Sequence, residues 1–206
     1  MTDRREFLQY AMVTAVPLTT GVTLAGGETV AASKVSADRA VPLVVRHVVI
    51  DSRHLESRAF GASLAGSGAT VHALADGDAT DLWLQTLGPA WRTSPVPVAG
   101  LTRLPALFIL EQFAWSHGLR VVFQAEHVVS SKAPAVHHIQ RAPVESLTVN
   151  QLQRFDASWP VGVADLVAGY APVLNAAPRP GPTAAGLLPA LPPGGELLTS
   201  WIIAPA

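Results

Sequence analysis

Ten residues, Pro42-Leu-Val-Val-Arg-His-Val-Val-Ile-Asp51, restrict the fold more than any other stretch of the chain. They form a nearly continuous β-branched run, the pattern of a strand buried on both faces, which parallel sheets provide. Arg53 to Gly66 then predicts a helix, with Leu55, Ala59, Ala62 and Gly66 on one stripe and Arg53, Glu56 and Arg58 off it. Gly66-Ser67-Gly68 ends it. Thr70 to Ala75 predicts a second strand. Strand, helix and strand in that order imply a parallel pair joined by a right-handed crossover.

Further along, Asp78-Ala-Thr-Asp81 opens another predicted helix, with Trp83, Leu87 and Trp91 on one face. Pro95 to Ala99 predicts a third strand, which its two prolines confine to an edge or a loop. Pro105 to His117 predicts an apolar helix closed by Gly118, with Pro105 in the first turn. Leu107, Phe108, Ile109, Leu110, Phe113, Ala114 and Trp115 surround most of it, so burial on more than one side is expected. Glu196 to Ala204 predicts a last strand returning to the sheet.

Arg120 to Val129 and Ala135 to Ala142 predict a hairpin across Ser130-Ser131-Lys132-Ala133-Pro134. The register that best separates an apolar from a polar face pairs Val129 with Ala135, His127 with His137, Ala125 with Ile139 and Phe123 with Arg141. It also pairs Val128 with Val136, Glu126 with His138 and Gln124 with Gln140. Opposed His127 and His137 are within reach of one metal ion, but no third ligand is placed beside them by sequence. Mutual or individual hydrogen bonding is the stronger reading. Glu126 and His138 read as a surface pair.

The chain has 206 residues, of which 49% are hydrophobic and only 14% charged, and its net charge is −1. That balance excludes electrostatic nucleic-acid binding as a leading idea. With no cysteine, disulfides, thiolate metal sites, iron–sulfur clusters and a thiol nucleophile are also excluded. Between Ala171 and Gly195, seven prolines and four glycines occupy 25 positions with Arg179 as the only charge. This composition fits an irregular arm lying along its own domain or along a partner. The expected architecture is an α/β fold in one compact domain: a mixed sheet of four to six strands with packed helices over residues 38–170, then the arm and final strand over 171–206.

At the amino terminus, Thr2-Asp3-Arg4-Arg5-Glu6-Phe7-Leu8-Gln9 precedes 21 uncharged residues, Phe7 to Gly27 counted. Small-residue cleavage positions follow at Val30-Ala31-Ala32 and Val35-Ser36-Ala37. Arg4, Arg5, Phe7 and Leu8 match the pattern of a twin-arginine translocation signal, which residues 1–37 resemble; Asp3 and Gln9 depart from it. The resemblance covers the leader alone. It implies passage through the twin-arginine translocation machinery, a periplasmic or other extracytoplasmic location, and folding before export, often around a cofactor or on a partner. No motif specifies the cofactor. The membrane is involved only through this segment, if it is left uncleaved.

Four constellations carry candidate chemistry. The strand–helix–strand outline suggests a nucleotide, but Asp51 to Phe60 lacks the glycine-rich turn that would admit a pyrophosphate. Gly61-Ala-Ser63-Leu-Ala-Gly66 has the wrong spacing for a nucleophile elbow, and Ser63 sits inside a helix. Asp76-Gly77-Asp78 reads as a turn with Asp78 capping a helix rather than as a cation site. The strongest lead is positional: ligands bind beyond the carboxyl ends of parallel strands. That rule selects Asp51 and Ser52 after the first strand, Asp76 after the second, and Thr102 and Arg103 before the apolar helix, where an anion could sit. Asp51 and His127 would act as a base and its partner if their strands were adjacent.

These features lead first to an exported accessory or small subunit of a larger envelope enzyme or assembly, acting through protein–protein contacts. The leader, the sparse charge and the apolar arm all point that way. The alternative is a stand-alone periplasmic enzyme or small-ligand-binding protein with its site at the carboxyl edge of the sheet. No sequence feature identifies a reaction.

Overall fold

In the computed structural model, residues 43–142, 152, 154–170 and 191–205 are described, all within the compact unit Asp38–Ala206. The leader with Arg4, Arg5, Phe7 and Leu8, and positions 171–190 of the arm, lie outside the described residues. The elements run β1 (His47–Asp51), α1 (Leu55–Gly66), β2 (Thr70–Leu74), α2 (Thr80–Leu82), a π-helical turn (Trp83–Leu87), α3 (Gly88–Thr93), β3 (Val98–Thr102), α4 (Leu104–Trp115), β4 (Leu119–Ser130), β5 (Ala133–Arg141), a 3-10 turn (Asp156–Ser158), α5 (Trp159–Ala168) and β6 (Glu196–Pro205). Among the described residues, no helix is long and apolar enough to cross a membrane.

The strands make one six-stranded mixed sheet in the order β2-β1-β3-β6-β4-β5. β1 pairs in parallel with β2 and β3, whereas β6 is antiparallel to both β3 and β4. The expected α/β class and sheet therefore hold. One face carries Val48, Ile50, Leu198 and Ile202 against Phe60 and Leu64 of α1 and Val163 and Val167 of α5. The opposite face carries Val49, Trp201 and Ile203 against Leu87 and Trp91, and against Leu107 and Leu110 of α4.

Three expectations are corrected by this packing. The third strand is Val98–Thr102, fully buried between β1 and β6. Pro95 and Pro97 fall in the loop ahead of it, so they cost the ladder no donor. α1 buries Ser57, Phe60, Gly61 and Leu64, while Leu55 is exposed. The buried stripe thus follows the large side chains Phe60 and Leu64 and not the small residues chosen from composition. α4 is buried on one side only: Ala106, Leu107, Leu110 and Ala114 face the sheet, whereas Leu104, Phe108 and Trp115 are 42%, 58% and 49% exposed.

The hairpin keeps the expected register from Ala125 to Val128, with His127 opposite His137 and Glu126 opposite His138. A β-bulge then places Arg141 opposite Gln124, displacing the expected pairs Gln124–Gln140 and Phe123–Arg141. The turn is tighter than expected, since Ser130 already pairs with Ala133. Glu126 is buried, with Gln140 Nε2 donating to its Oε2 over 2.7 Å and His138 Nδ1 3.8 Å away, so the pair with His138 is not a surface one.

Candidate functional site

β1 and β3 are adjacent and parallel, yet the chain leaves their carboxyl ends in opposite directions. After Asp51 it enters α1 on one face and proceeds to β2. After Thr102 it enters α4 on the other face and proceeds to β4. Such a divergence is a topological switch point, where open α/β sheets leave a crevice. Both helices that start there, α1 at His54 and α4 at Arg103, lack a side-chain hydrogen bond at the N-cap. In α4 Pro105 has no N–H and Ala106 N donates to Arg103 O at 3.2 Å, while each helix start carries partial positive charge.

Asp51 closes β1 and is fully buried. Its Oδ1 accepts from Arg53 N at 3.2 Å and Arg53 Nε at 2.8 Å, and its Oδ2 accepts from Arg53 Nη2 at 2.6 Å. Arg103 Nε lies 3.6 Å from Oδ2 and His54 Nε2 lies 3.7 Å from it. Burial alone would raise the Asp51 pKa. The hydrogen bonds from the Arg53 side chain and backbone, with the charges of Arg53 and His54, outweigh it and hold the carboxyl below its usual range. Asp51 is thus a fixed anion that orients a guanidinium, with little basicity left for proton abstraction.

His54 continues the network outward, its Nδ1 lying 3.0 Å from Oε2 of Glu196 at the start of β6. Across the top runs the β2–α2 loop. Gly77 has φ +85°, and a side chain there would collide with Arg53 Nη2 and lie 3.3 Å from Arg103 Nη2. The left-handed backbone favours glycine at this point, and a side chain here would push Arg53 from its place against Asp51. Beside the cluster, Arg103, Leu104, Pro105, Glu196 and Leu197 line a hollow of ≈ 410 Å³.

Of the residues selected from the sequence, Asp51 and Arg103 meet in this cluster. Asp76 lies in the overhanging loop, where its Oδ1 accepts from Asp78 N at 3.0 Å, and Asp78 Oδ1 in turn accepts from Thr80 N at 2.8 Å. Ser52 is a turn former, donating from Oγ to Leu74 O at 3.0 Å. Thr102 is buried and committed: Oγ1 donates to Arg103 O and accepts from Trp201 Nε1, each at 3.1 Å. His127 does not belong here. β3 and β6 separate its strand from β1, so it cannot partner Asp51.

Instead, His127 is wholly buried under Trp159, whose ring stacks on it at 4.4 Å. Its Nδ1 is 2.7 Å from Nδ1 of His137, and its Nε2 is 2.7 Å from Ser200 Oγ. Burial and the neighbouring His137 push the His127 pKa well below its ordinary value, and burial takes His137 down to about 4. Both rings are neutral, hydrogen-bonded core groups.

Arg53, His54 and Glu196 were not singled out by sequence. An arginine two residues after a strand-terminal aspartate is a local signal that could have exposed Arg53. Glu196 has no such signal, because its place depends on β6 inserting between β3 and β4. No protein-family model matches this chain, and neither does any curated protein or solved structure.

Proposed function

We propose that this chain is an exported binding protein for a small organic anion, a carboxylate or phosphoryl group with an apolar body, received at the β1/β3 switch point. One observation carries the reading: Asp51 engages Arg53 through both carboxylate oxygens, while the more exposed Arg103, 3.6 Å from the same carboxylate, lines the hollow at the start of α4. A guanidinium beside the partial positive charge of a helix start is a receptor for an anion, and Leu104, Pro105 and Leu197 supply an apolar wall. Because Asp51 is held as a carboxylate, the arrangement supports binding and positioning more than acid–base catalysis. Export rests on the resemblance of residues 1–37 to a twin-arginine signal.

The test is titration of the purified protein with short carboxylates, aromatic carboxylates and inorganic phosphate, followed by thermal melting and backbone amide NMR. A true ligand stabilises the fold by about 2.7 kcal/mol at one hundred times its Kd, shifts the amides of Leu104, Ala106 and Leu107, and loses its effect in Arg103→Gln. Anion effects that match those of chloride and survive Arg103→Gln overturn the reading.

A second reading, an accessory subunit of a larger envelope assembly, is supported by the exposed Leu104–Phe108–Trp115 stripe on α4. It extends the composition-based expectation of a protein–protein surface. Gentle purification from the native envelope, with mass spectrometry of whatever co-elutes, tests it. A larger protein in fixed stoichiometry supports the reading, and a lone monomer overturns it.

A further inference from the structure

At the opposite, amino end of the parallel strands, a second pair of histidines meets. β1 and β2 align His47 with Thr70 and Val49 with His72, so the two histidines are diagonal neighbours on one sheet face. Nδ1 of His47 lies 3.0 Å from Nε2 of His72, with ring centroids 5.2 Å apart and planes tilted by 33°. Both side chains are half-buried. Burial lowers both pKa values, with Arg46 adding at His47 and His47 adding at His72, so the rings are neutral near pH 7. In a neutral pair of this geometry, one proton lies between two ring nitrogens that each hold a lone pair in its absence.

We propose that His47 and His72 form a copper(II) site, in which the ion takes the place of that shared proton and water completes its coordination. The ring that gave up the proton carries its hydrogen on the other nitrogen, so no net proton is released and no electron is transferred. Among the described residues no three metal-binding side chains are grouped, which makes this an open two-imidazole site.

Ligand type and the affinity order for divalent ions point to the metal. Two imidazole nitrogens bound cis at about 2.0–2.1 Å to a tetragonal ion lie about 2.9 Å apart, whereas a tetrahedral zinc ion needs about 3.3 Å. The hydrogen-bonded nitrogens stand 3.0 Å apart, so both reach one ion with a small change in separation. Each ring must turn about χ2 to aim its lone pair at the ion, a soft rotation that half-exposed side chains can make. Copper(II) also heads the divalent affinity order for imidazole sites.

The remaining five of the seven histidines are less suited. His127 and His137 are buried in the core under Trp159, where no water can complete an ion's coordination. His54 bridges Asp51 and Glu196, and His117 packs against Trp83 and Trp91. His138 lies beside the buried Glu126 carboxylate.

Titration of the full chain with copper(II) alone, followed by calorimetry and electron paramagnetic resonance, tests the proposal. One equivalent should bind with an axial spectrum showing coupling to two imidazole nitrogens. His47→Asn and His72→Asn should each weaken binding at least tenfold and leave one nitrogen coupling, while His117→Asn changes neither. In the wild type, where no variant has to fold, paramagnetic broadening should be confined at low loading to the His47 and His72 rings. Broadening centred on any other histidine overturns the site, as does copper affinity that survives both variants or zinc binding more tightly than copper.

Discussion

Arg53 closes on Asp51 from only two residues along the chain, its Nε and Nη2 lying 2.8 and 2.6 Å from the two carboxylate oxygens. A fork-to-fork pair over so short a separation fixes the chain between β1 and α1. It also fixes the charge of the switch point, because the buried anion is answered before any ligand arrives. Arg103, 3.6 Å from the same carboxylate and about half exposed, is the cation left to face outward.

Asp51→Asn tests that division of labour. The amide preserves shape but removes the charge and leaves the guanidinium without its strong acceptor. A loss of about 2 kcal/mol of stability is expected, within the range for hydrogen bonds to charged groups. Urea denaturation would show it as a lower midpoint with an unchanged slope. A midpoint equal to that of the wild type would mean that Arg53 is held by something else.

Gly100 sits at the centre of β3, where a Cβ would collide with the Trp201 ring and approach Val49 O to 2.9 Å. Trp201 is fully buried and donates its indole N–H to Thr102, so it cannot move aside cheaply. Gly100→Ala should therefore cost about 3 kcal/mol, the scale of overpacking a close-packed core. Chemical denaturation measures it, and a cost below about 1 kcal/mol would show that β3 and β6 can separate more easily than their packing implies.

Where structure was legible in the sequence, local alternation carried it. β1, β2 and the His127–His137 register follow from apolar period and turn spacing, because each depends on residues close in the chain. β3 lies three residues beyond the expected start at Pro95, because Pro95 and Pro97 belong to the loop ahead of the strand. The insertion of β6 between β3 and β4 had no local signature, and with it went Glu196 and the separation of His127 from Asp51. α5 does carry a local signal, since Trp159-Pro-Val-Gly-Val-Ala-Asp-Leu-Val-Ala168 places a proline in a first helical turn ahead of an apolar run. The α4 stripe shows the limit of composition: apolar residues all around a helix predicted burial all around, while the sheet covers only one side of it.

Acid should weaken the fold in a definite window. Unfolded histidine titrates near pH 6.5, whereas burial and the His137 contact hold His127 well below that, and burial holds His137 near 4. Between those values the unfolded chain binds more protons than the folded one, so stability falls as pH falls from about 6.5 towards 4. His47 and His72, also lowered, add to the same slope. Asp51 acts in the same sense but only below its ordinary 3.8. The melting temperature should be at least about 5 °C lower at pH 4.5 than at pH 7.5, and His137→Gln should flatten that profile. A His137→Gln variant with the wild-type slope would exclude the buried pair as its source.

Neighbouring positions on α4 give the sharpest contrast between core and surface. Leu110 is fully buried against the sheet, whereas Phe108, two residues earlier, is 58% exposed. Leu110→Ala should cost about 3 kcal/mol, since it removes buried methyl groups and leaves a cavity. Phe108→Ser should cost under about 1 kcal/mol, because the ring leaves water only in part. If the exposed stripe docks on a partner, Phe108→Ser should also abolish co-elution while leaving the melting temperature nearly unchanged. Should Phe108→Ser unfold the protein instead, the stripe belongs to the core of this chain and the accessory-subunit reading loses its surface.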